Sequence, residues 1–303
     1  MSPRPPVVWS PAYEVDIGEH VYPTRKYGLV RRRLLEADVI REGEVADPEP
    51  ASREDLARVH TGAWLEKIDA GELSLQEQRR LEVPFSPELR TAAVTCCGGS
   101  ILTGRRALED GLAVHLGGGF HHAFADHGEG FCLLNDVAVA LRSLLGDGLV
   151  ERAAVVDCDL HHGNGTAAIF ANDAQVFTFS VHQEHNYPAV KPPSDLDVGL
   201  EDGTGDGAYL EVLREHLPRI CEEHRPDLAF YLAGADPYRE DQLGGLSLTK
   251  EGLRRRDAYV LETLREAGVA VAVVLAGGYA RRLEDTVALH CATVEEAERI
   301  FQG

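Results

Sequence analysis

Six stretches of the chain are almost unbroken in apolar and β-branched residues: Val7 to Ser10, Leu112 to Gly119, Ala153 to Asp159, Val176 to His182, Leu228 to Asp236 and Val269 to Tyr279. None alternates polar with apolar, so each reads as a parallel strand buried on both faces. Between them, apolar residues recur at helical spacing over Thr24 to Ala37, Pro87 to Leu108, Leu134 to Leu145, Tyr209 to His224, Thr249 to Ala267 and Arg281 to Glu298. The tetrapeptide SPEL at Ser86 to Leu89 is a helix start: a capping serine, a first-turn proline, then an acid. Alternating strands and helices predict an α/β fold, an open, mostly parallel, doubly wound sheet flanked by helices. No repeat or linker divides the chain, so residues 1–303 read as a single domain. Gly43 to Pro50 reads as a surface loop and Pro188 to Gly207 as a long turn-rich excursion.

Ligands of such sheets bind outside the carboxyl ends of the strands. The ionisable residues gather there: His121 and His122 after one stretch, Asp157, Asp159, His161 and His162 after the next, Asp236 and Tyr279 after two more. In DCDLHHGNG, Asp159 and His161 stand two apart, so an extended segment turns them to one side. A carboxylate and an imidazole suit zinc, and Asp236 is the candidate third ligand, leaving a position open for water. Alone, an acid and a histidine after a strand are as readily helix caps; the histidine pair and Asp236 tip the balance to a site. A metal that activates water needs a base, and a leaving amine needs an acid; the pair His121–His122 can supply both. Each ring needs an orienting partner, and Asp157 and Asn164 are candidates. Tyr279, after two glycines, can donate to a carbonyl becoming an oxyanion, although by itself it reads better as a core residue.

Charge and cysteines narrow the picture. With 30 basic against 50 acidic residues the net charge is −20. That surface repels nucleic acid phosphates and tolerates cationic substrates. The six cysteines form no CxxC pair, which fits free thiols in a reducing compartment. MSPRPPVVWS at the start lacks the apolar core of a signal peptide, and no apolar run approaches the ~20 residues of a membrane span. The expectation is a cytoplasmic protein with no membrane and no nucleic acid partner.

With these residues assembled, the chain resembles the zinc-dependent histone deacetylase superfamily, its bacterial and class IV members above all. GGGFHHAFADHGEGFCLLND and VVDCDLHHGNGT carry the resemblance, with GADPYREDQLGGLSLT and LAGGYARRLEDT later in the chain. The resemblance implies an arginase-deacetylase sheet and one catalytic Zn2+ held by Asp159, His161 and Asp236. It makes His122 the principal base and acid, His121 its electrostatic partner, Asp157 and Asn164 their orienters, and Tyr279 the group polarising the acyl carbonyl. Gly130, Phe131, Tyr187 and Gly278 would line the acyl-lysine tunnel. A structural K+ would sit at Asp157, Asp159, His161, Ser180 and Val181. Class I members carry an aspartate where this chain has Asn164, and they hold substrate backbone with a loop aspartate that LEVPFSPEL lacks. The implied substrates are an acylated lysine of a peptide or protein, or an acylated polyamine. Glu14, Asp16, Asp126, Glu129 and Glu184 are candidate rim residues. Two readings compete: an arginase-type binuclear ureohydrolase, which needs a second set of metal ligands, and a metal-stabilised acyl-group binding protein, which has no need of a proton-transfer set.

Overall fold

A computed structural model describes residues 4–302; Met1 to Pro3 of the N-terminal stretch and Gly303 lie outside it. Eight parallel strands make one sheet: β1 (Val7–Val8), β2 (Val45–Ala46), β3 (Leu112–His115), β4 (Ala153–Asp157), β5 (Val176–Gln183), β6 (Leu196–Leu200), β7 (Leu228–Leu232) and β8 (Ala270–Val274). Their order is β2-β1-β3-β8-β7-β4-β5-β6. The helices are α1 (Lys26–Glu36), α2 (Arg53–Ala57), α3 (Gly62–Ala70), α4 (Leu75–Leu81), α5 (Pro87–Asp110), α6 (Asp136–Gly146), α7 (Asn164–Phe170), α8 (Asp206–His224), α9 (Lys250–Glu266) and α10 (Leu283–Gln302). They pack on both faces of the sheet, in two apolar cores. The central strands are buried throughout, as their unbroken apolar sequences require.

The α/β reading holds, with corrections at the edges. The Gly43 to Pro50 loop carries β2, and the turn-rich excursion carries β6. β6 is an edge strand whose burial alternates, so its sequence, LDVGL, never shows a continuous apolar run. The central strands stop earlier than their apolar stretches: at His115, Asp157, Leu232 and Val274. The residues beyond are loop, and their chemistry stands on irregular backbone at the sheet's carboxyl edge. Ser86 does cap α5, its Oγ accepting from Leu89 N at 3.1 Å.

Candidate active site

The four strands expected to aim chemistry at one rim are neighbours in space, in the order β3-β8-β7-β4. After β3 the backbone makes two turns at positive φ, at Gly118 (75°) and Gly119 (88°). A Cβ at Gly119 would lie 2.6 Å from Ala276 Cβ, so the loop can lie against the end of β8 only with glycine there. The loop is clamped on both sides of the histidines. The buried Asp136 carboxylate accepts from Gly119 N at 3.1 Å and Phe120 N at 2.8 Å, and Asn135 Nδ2 donates to Ala123 O at 3.2 Å.

Between these clamps the two rings meet, Nε2 to Nε2 at 3.2 Å, each tied behind by its Nδ1. His121 Nδ1 donates to Asp157 Oδ2 at 2.7 Å and His122 Nδ1 to Asn164 Oδ1 at 2.7 Å. The environments split the pair. Burial pushes His121 down, but Asp157 and Asp159 outweigh it and hold the ring up at about 9. Burial, then the neighbouring His121 and His161, drive His122 well below its ordinary value. The two rings are thus driven in opposite directions, His121 toward the cation and His122 toward the free base.

Beside them, Asp159, His161 and Asp236 each bring one ligand atom within 4.8 Å of the others, all three buried. His161 Nδ1 lies 3.1 Å from Asp159 Oδ1 and 3.3 Å from Asp236 Oδ2. The other oxygen of each acid is anchored: Asp159 Oδ2 accepts from Gly277 N at 2.8 Å and Asp236 Oδ1 from Leu160 N at 2.9 Å. Asp236 Oδ2 is buried with no hydrogen-bond partner. An orphaned carboxylate oxygen in the interior is costly unless a cation meets it. Burial pushes His161 down, but the two carboxylates lift it to about 10, so a positive charge is what this corner holds best. Two carboxylate oxygens and an imidazole nitrogen fit a divalent zinc-type ion. The other converging group among the described residues, Cys96, His115 and Asp136, is different. There His115 is bonded to Ser100 Oγ and Tyr13 OH, and Asp136 to backbone and Ser100, so hydrogen bonds already satisfy it.

A cavity of about 180 Å³ opens onto the cluster. Gly130, Phe131, Tyr187 and Tyr279 line it above His121, His122, Asp159 and His161. The Tyr187 ring stands edge-on to His122, with centroids 5.0 Å apart, and Phe131 stacks on Tyr22 at 5.8 Å. Gly278 is not in the lining; Gly277 is. At Gly278 (φ 147°) the missing side chain faces Ala235, Thr286 and His290 instead. Burial first, then Asp159 and Asp236, push the Tyr279 hydroxyl well up, so it stays protonated. Asp157 and Ser180 sit side by side in the β4–β5 register, with Val181 next, and Ser180 Oγ is 3.0 Å from His182 Nδ1.

Several residues escaped the sequence reading. Of the acids expected at the rim, none lines the cavity; Glu82, from LEVPFSPEL, does. Glu129 turns inward and accepts from Asn164 Nδ2 at 2.6 Å. Lys26 of α1 is fully buried, donates to Ala276 O at 2.7 Å and lies among the Tyr22, Tyr27 and Tyr279 rings; burial lowers it to about 8. Arg256 of α9, also buried, donates from Nη1 to Cys158 O at 3.1 Å and Gly234 O at 2.7 Å. It thereby ties together the two loops that carry Asp159 and Asp236. Asp257 holds its Nε at 2.9 Å. A lysine and an arginine on amphipathic helices look like solvated surface residues until their helices are docked.

A histidine pair split into cation and base, beside converging carboxylates at a cavity, is the equipment of a hydrolase. The histone deacetylase domain family matches residues 20–294. An uncharacterized protein of Picosynechococcus sp. is 43% identical over 297 residues, 98% of this chain and 99% of that protein. Histone deacetylase 2 of Arabidopsis thaliana is 27% identical over 298 residues, 93% of this chain and 77% of its own length. The crystal structure of the HDA15 HD domain has a TM-score of 0.76 at 23% identity, covering 96% of this chain and 90% of that one, and it shows the same fold. The chain belongs to the histone deacetylase domain family, whose members are deacetylases acting as hydrolases.

Proposed function

We propose that the protein is a zinc-dependent amidohydrolase that removes an acetyl or longer acyl group from an amine. An acylated lysine of a peptide or protein is the first substrate class and an acylated polyamine the second. The observation that carries this reading is the orphaned Asp236 Oδ2 facing His161 and Asp159, next to a histidine pair held in opposite charge states. Asp159, His161 and Asp236 would hold the metal. A zinc ion bound there supplies Lewis acidity, polarising a carbonyl and acidifying water.

The chain's own residues do the rest. His122, neutral and lying 3.2 Å from His121 through Nε2, takes the proton of the attacking water. His121, kept cationic by Asp157, offsets the negative charge that develops, and His122 returns the proton it took to the amine as it leaves. The protonated Tyr279 hydroxyl donates to the carbonyl oxygen as it becomes an oxyanion. Gly130, Phe131 and Tyr187 form a narrow wall suited to an apolar methylene stem, which lysine and polyamines share. The net charge of −20 favours cationic substrates of either class. Asp157, Ser180 and Val181, with Asp159 and His161, would bind a structural potassium ion. One sheet running from β1 to β8 supports treating residues 1–303 as one catalytic domain. The six buried free cysteines suit a reducing compartment such as the cytoplasm.

The test is product release by zinc-loaded protein from acetyl-, butyryl- and myristoyl-lysine peptides and N-acetylated polyamines, with and without chelator. Chelator-sensitive hydrolysis is expected, and the preferred member names the substrate class. No hydrolysis of any member by protein holding one zinc per chain would refute the reading. Two metals per chain would turn it to a ureohydrolase.

A further inference from the structure

Asn164 faces two partners, and only one of them dictates how its amide must lie. Oδ1 is 2.7 Å from His122 Nδ1 and Nδ2 is 2.6 Å from Glu129 Oε1. An asparagine amide by itself can be turned either way, and a neutral imidazole can carry its proton on either nitrogen. A carboxylate has no such freedom, because it only accepts. Turning the amide over would set Asn164 Oδ1 against Glu129 Oε1, two acceptors at hydrogen-bond distance. The amide nitrogen must therefore face Glu129 and the amide oxygen His122. His122 Nδ1 must then carry the proton, and the lone pair is left on Nε2, the nitrogen that reaches His121 and the cavity.

Glu129 is built to stay in place and ionised. It sits in a tight turn in which Glu129 N donates to Cys132 O at 3.0 Å and Cys132 N to Glu129 O at 2.9 Å. The next two amides, of Gly130 and Phe131, donate to Arg80 O and Leu81 O at 3.1 and 2.8 Å. Its second oxygen, Oε2, lies 3.6 Å from His127 Nε2 and 3.9 Å from Arg80 Nε. Glu82 is the like charge nearby that works against this.

We propose that Glu129 is a positioning residue: through Asn164 it sets the direction of the hydrogen bond to His122, and so selects the tautomer in which His122 Nε2 is the base. The inference rests on the reading of His122 as the base. It assigns a role to the glutamate of GEGF, which otherwise reads as a rim charge, and makes one directed chain of donors from His121 through His122 and Asn164 to Glu129.

The test compares E129Q, N164D and the double variant with the wild type, in zinc-loaded protein. A glutamine at 129 can present either end, so E129Q frees the amide to turn. It is expected to lower kcat about tenfold with KM little changed, a fraction of the ~10²–10⁴ that a positioned base supplies. N164D puts a second carboxylate against Glu129 and is expected to lose activity as well. In the double variant the aspartate accepts from His122 and the glutamine donates to the aspartate, so the direction returns and kcat recovers to within about threefold. Nitrogen-15 NMR of histidine-labelled protein, assigned with a His122 variant, reads the tautomer independently of turnover. The wild type and the double variant should show the proton on Nδ1, and E129Q a mixture. An unchanged tautomer and kcat in E129Q, or a double variant no better than the singles, overturns the proposal. Protein inactive on every acylated amine but showing the Nδ1 tautomer only with Glu129 present would refute the deacylase reading and leave this inference standing. Should N164D not fold, the NMR signature of E129Q alone decides.

Discussion

Gly277→Ala is the sharpest probe of the proposed metal-ligand cluster. A Cβ at position 277 would lie 2.5 Å from Asp159 Oδ2, half an ångström inside the 3.0 Å that real Cβ atoms respect, 2.8 Å from Asp236 Cγ, and closer still to Asp236 Oδ2. Neither carboxylate has a free direction to retreat. Asp159 Oδ2 accepts from Gly277 N itself, Asp236 Oδ1 from Leu160 N, and both side chains are buried. The added methyl must displace Asp236 Oδ2, one of the oxygens proposed to hold the metal. Overpacking of this kind costs about 1–3 kcal/mol. The greater effect falls on metal binding: disturbing groups that merely support ligands costs about 10–100-fold in affinity, so shifting a ligand oxygen should cost at least ~100-fold. The assay is zinc titration of the apo-protein against a chromogenic chelator, with melting temperature in parallel. Zinc at ~100 times its Kd stabilises the wild type by about 2.7 kcal/mol. That is a rise of roughly 4 °C for a protein of this size. Gly277→Ala should lose that rise, and Asp236→Ala, which deletes the ligand, sets the floor. Gly43→Ala is the control, because a Cβ there meets nothing within 4 Å. Gly277→Ala binding one zinc per chain with wild-type affinity would refute the reasoning.

Three further outcomes are expected. Tyr279→Phe keeps its zinc but loses ~10²–10³ in kcat, as a single oxyanion donor does; normal turnover would remove Tyr279 from the mechanism. Arg256→Lys, which cannot span the Cys158 and Gly234 carbonyls while holding Asp257, should weaken zinc about 10–100-fold in protein that still folds. A lowered melting temperature with unchanged zinc affinity would reduce Arg256 to a packing role. His60 is buried and held at about 4, against an ordinary 6.5, by desolvation, with its Nδ1 donating to Phe124 O and its Nε2 accepting from Asn135 N. Its native pKa is depressed, so the unfolded chain binds the proton first. Its contribution is complete above about pH 6.5 and is lost as pH falls to about 4, by about 3 kcal/mol at most. His60→Gln should flatten the denaturation midpoint over that window, and an unchanged slope would refute the assignment.

How much of this protein its sequence determines follows from the range of each interaction. The central strands and the long helices were legible because burial on both faces demands unbroken apolar runs, and docking on one face demands helical spacing. β2 and β6 were not, because an edge strand needs neither. His121, His122, Asp159, His161, Asp236 and Tyr279 were legible as residue types at strand ends, where chemistry collects in open sheets. Their partners Asp157 and Asn164 lie in the same short motif and could be named with them. Tertiary structure alone decided the rest. The order β3-β8-β7-β4 brings four strand ends, spread along the chain from His115 to Val274, to one rim. Gly277, not its neighbour Gly278, meets the carboxylates, because the missing side chain at 278 faces Ala235, Thr286 and His290 instead. Lys26, Glu129 and Arg256 acquire their places only when helices and turns dock. A charge on an exposed-looking position carries no local signal that folding will bury it, since the groups that offset its desolvation come from distant segments. Sequence patterns report what the neighbouring residues require; the split of the histidine pair and the convergence of the acids are set by neighbours through space.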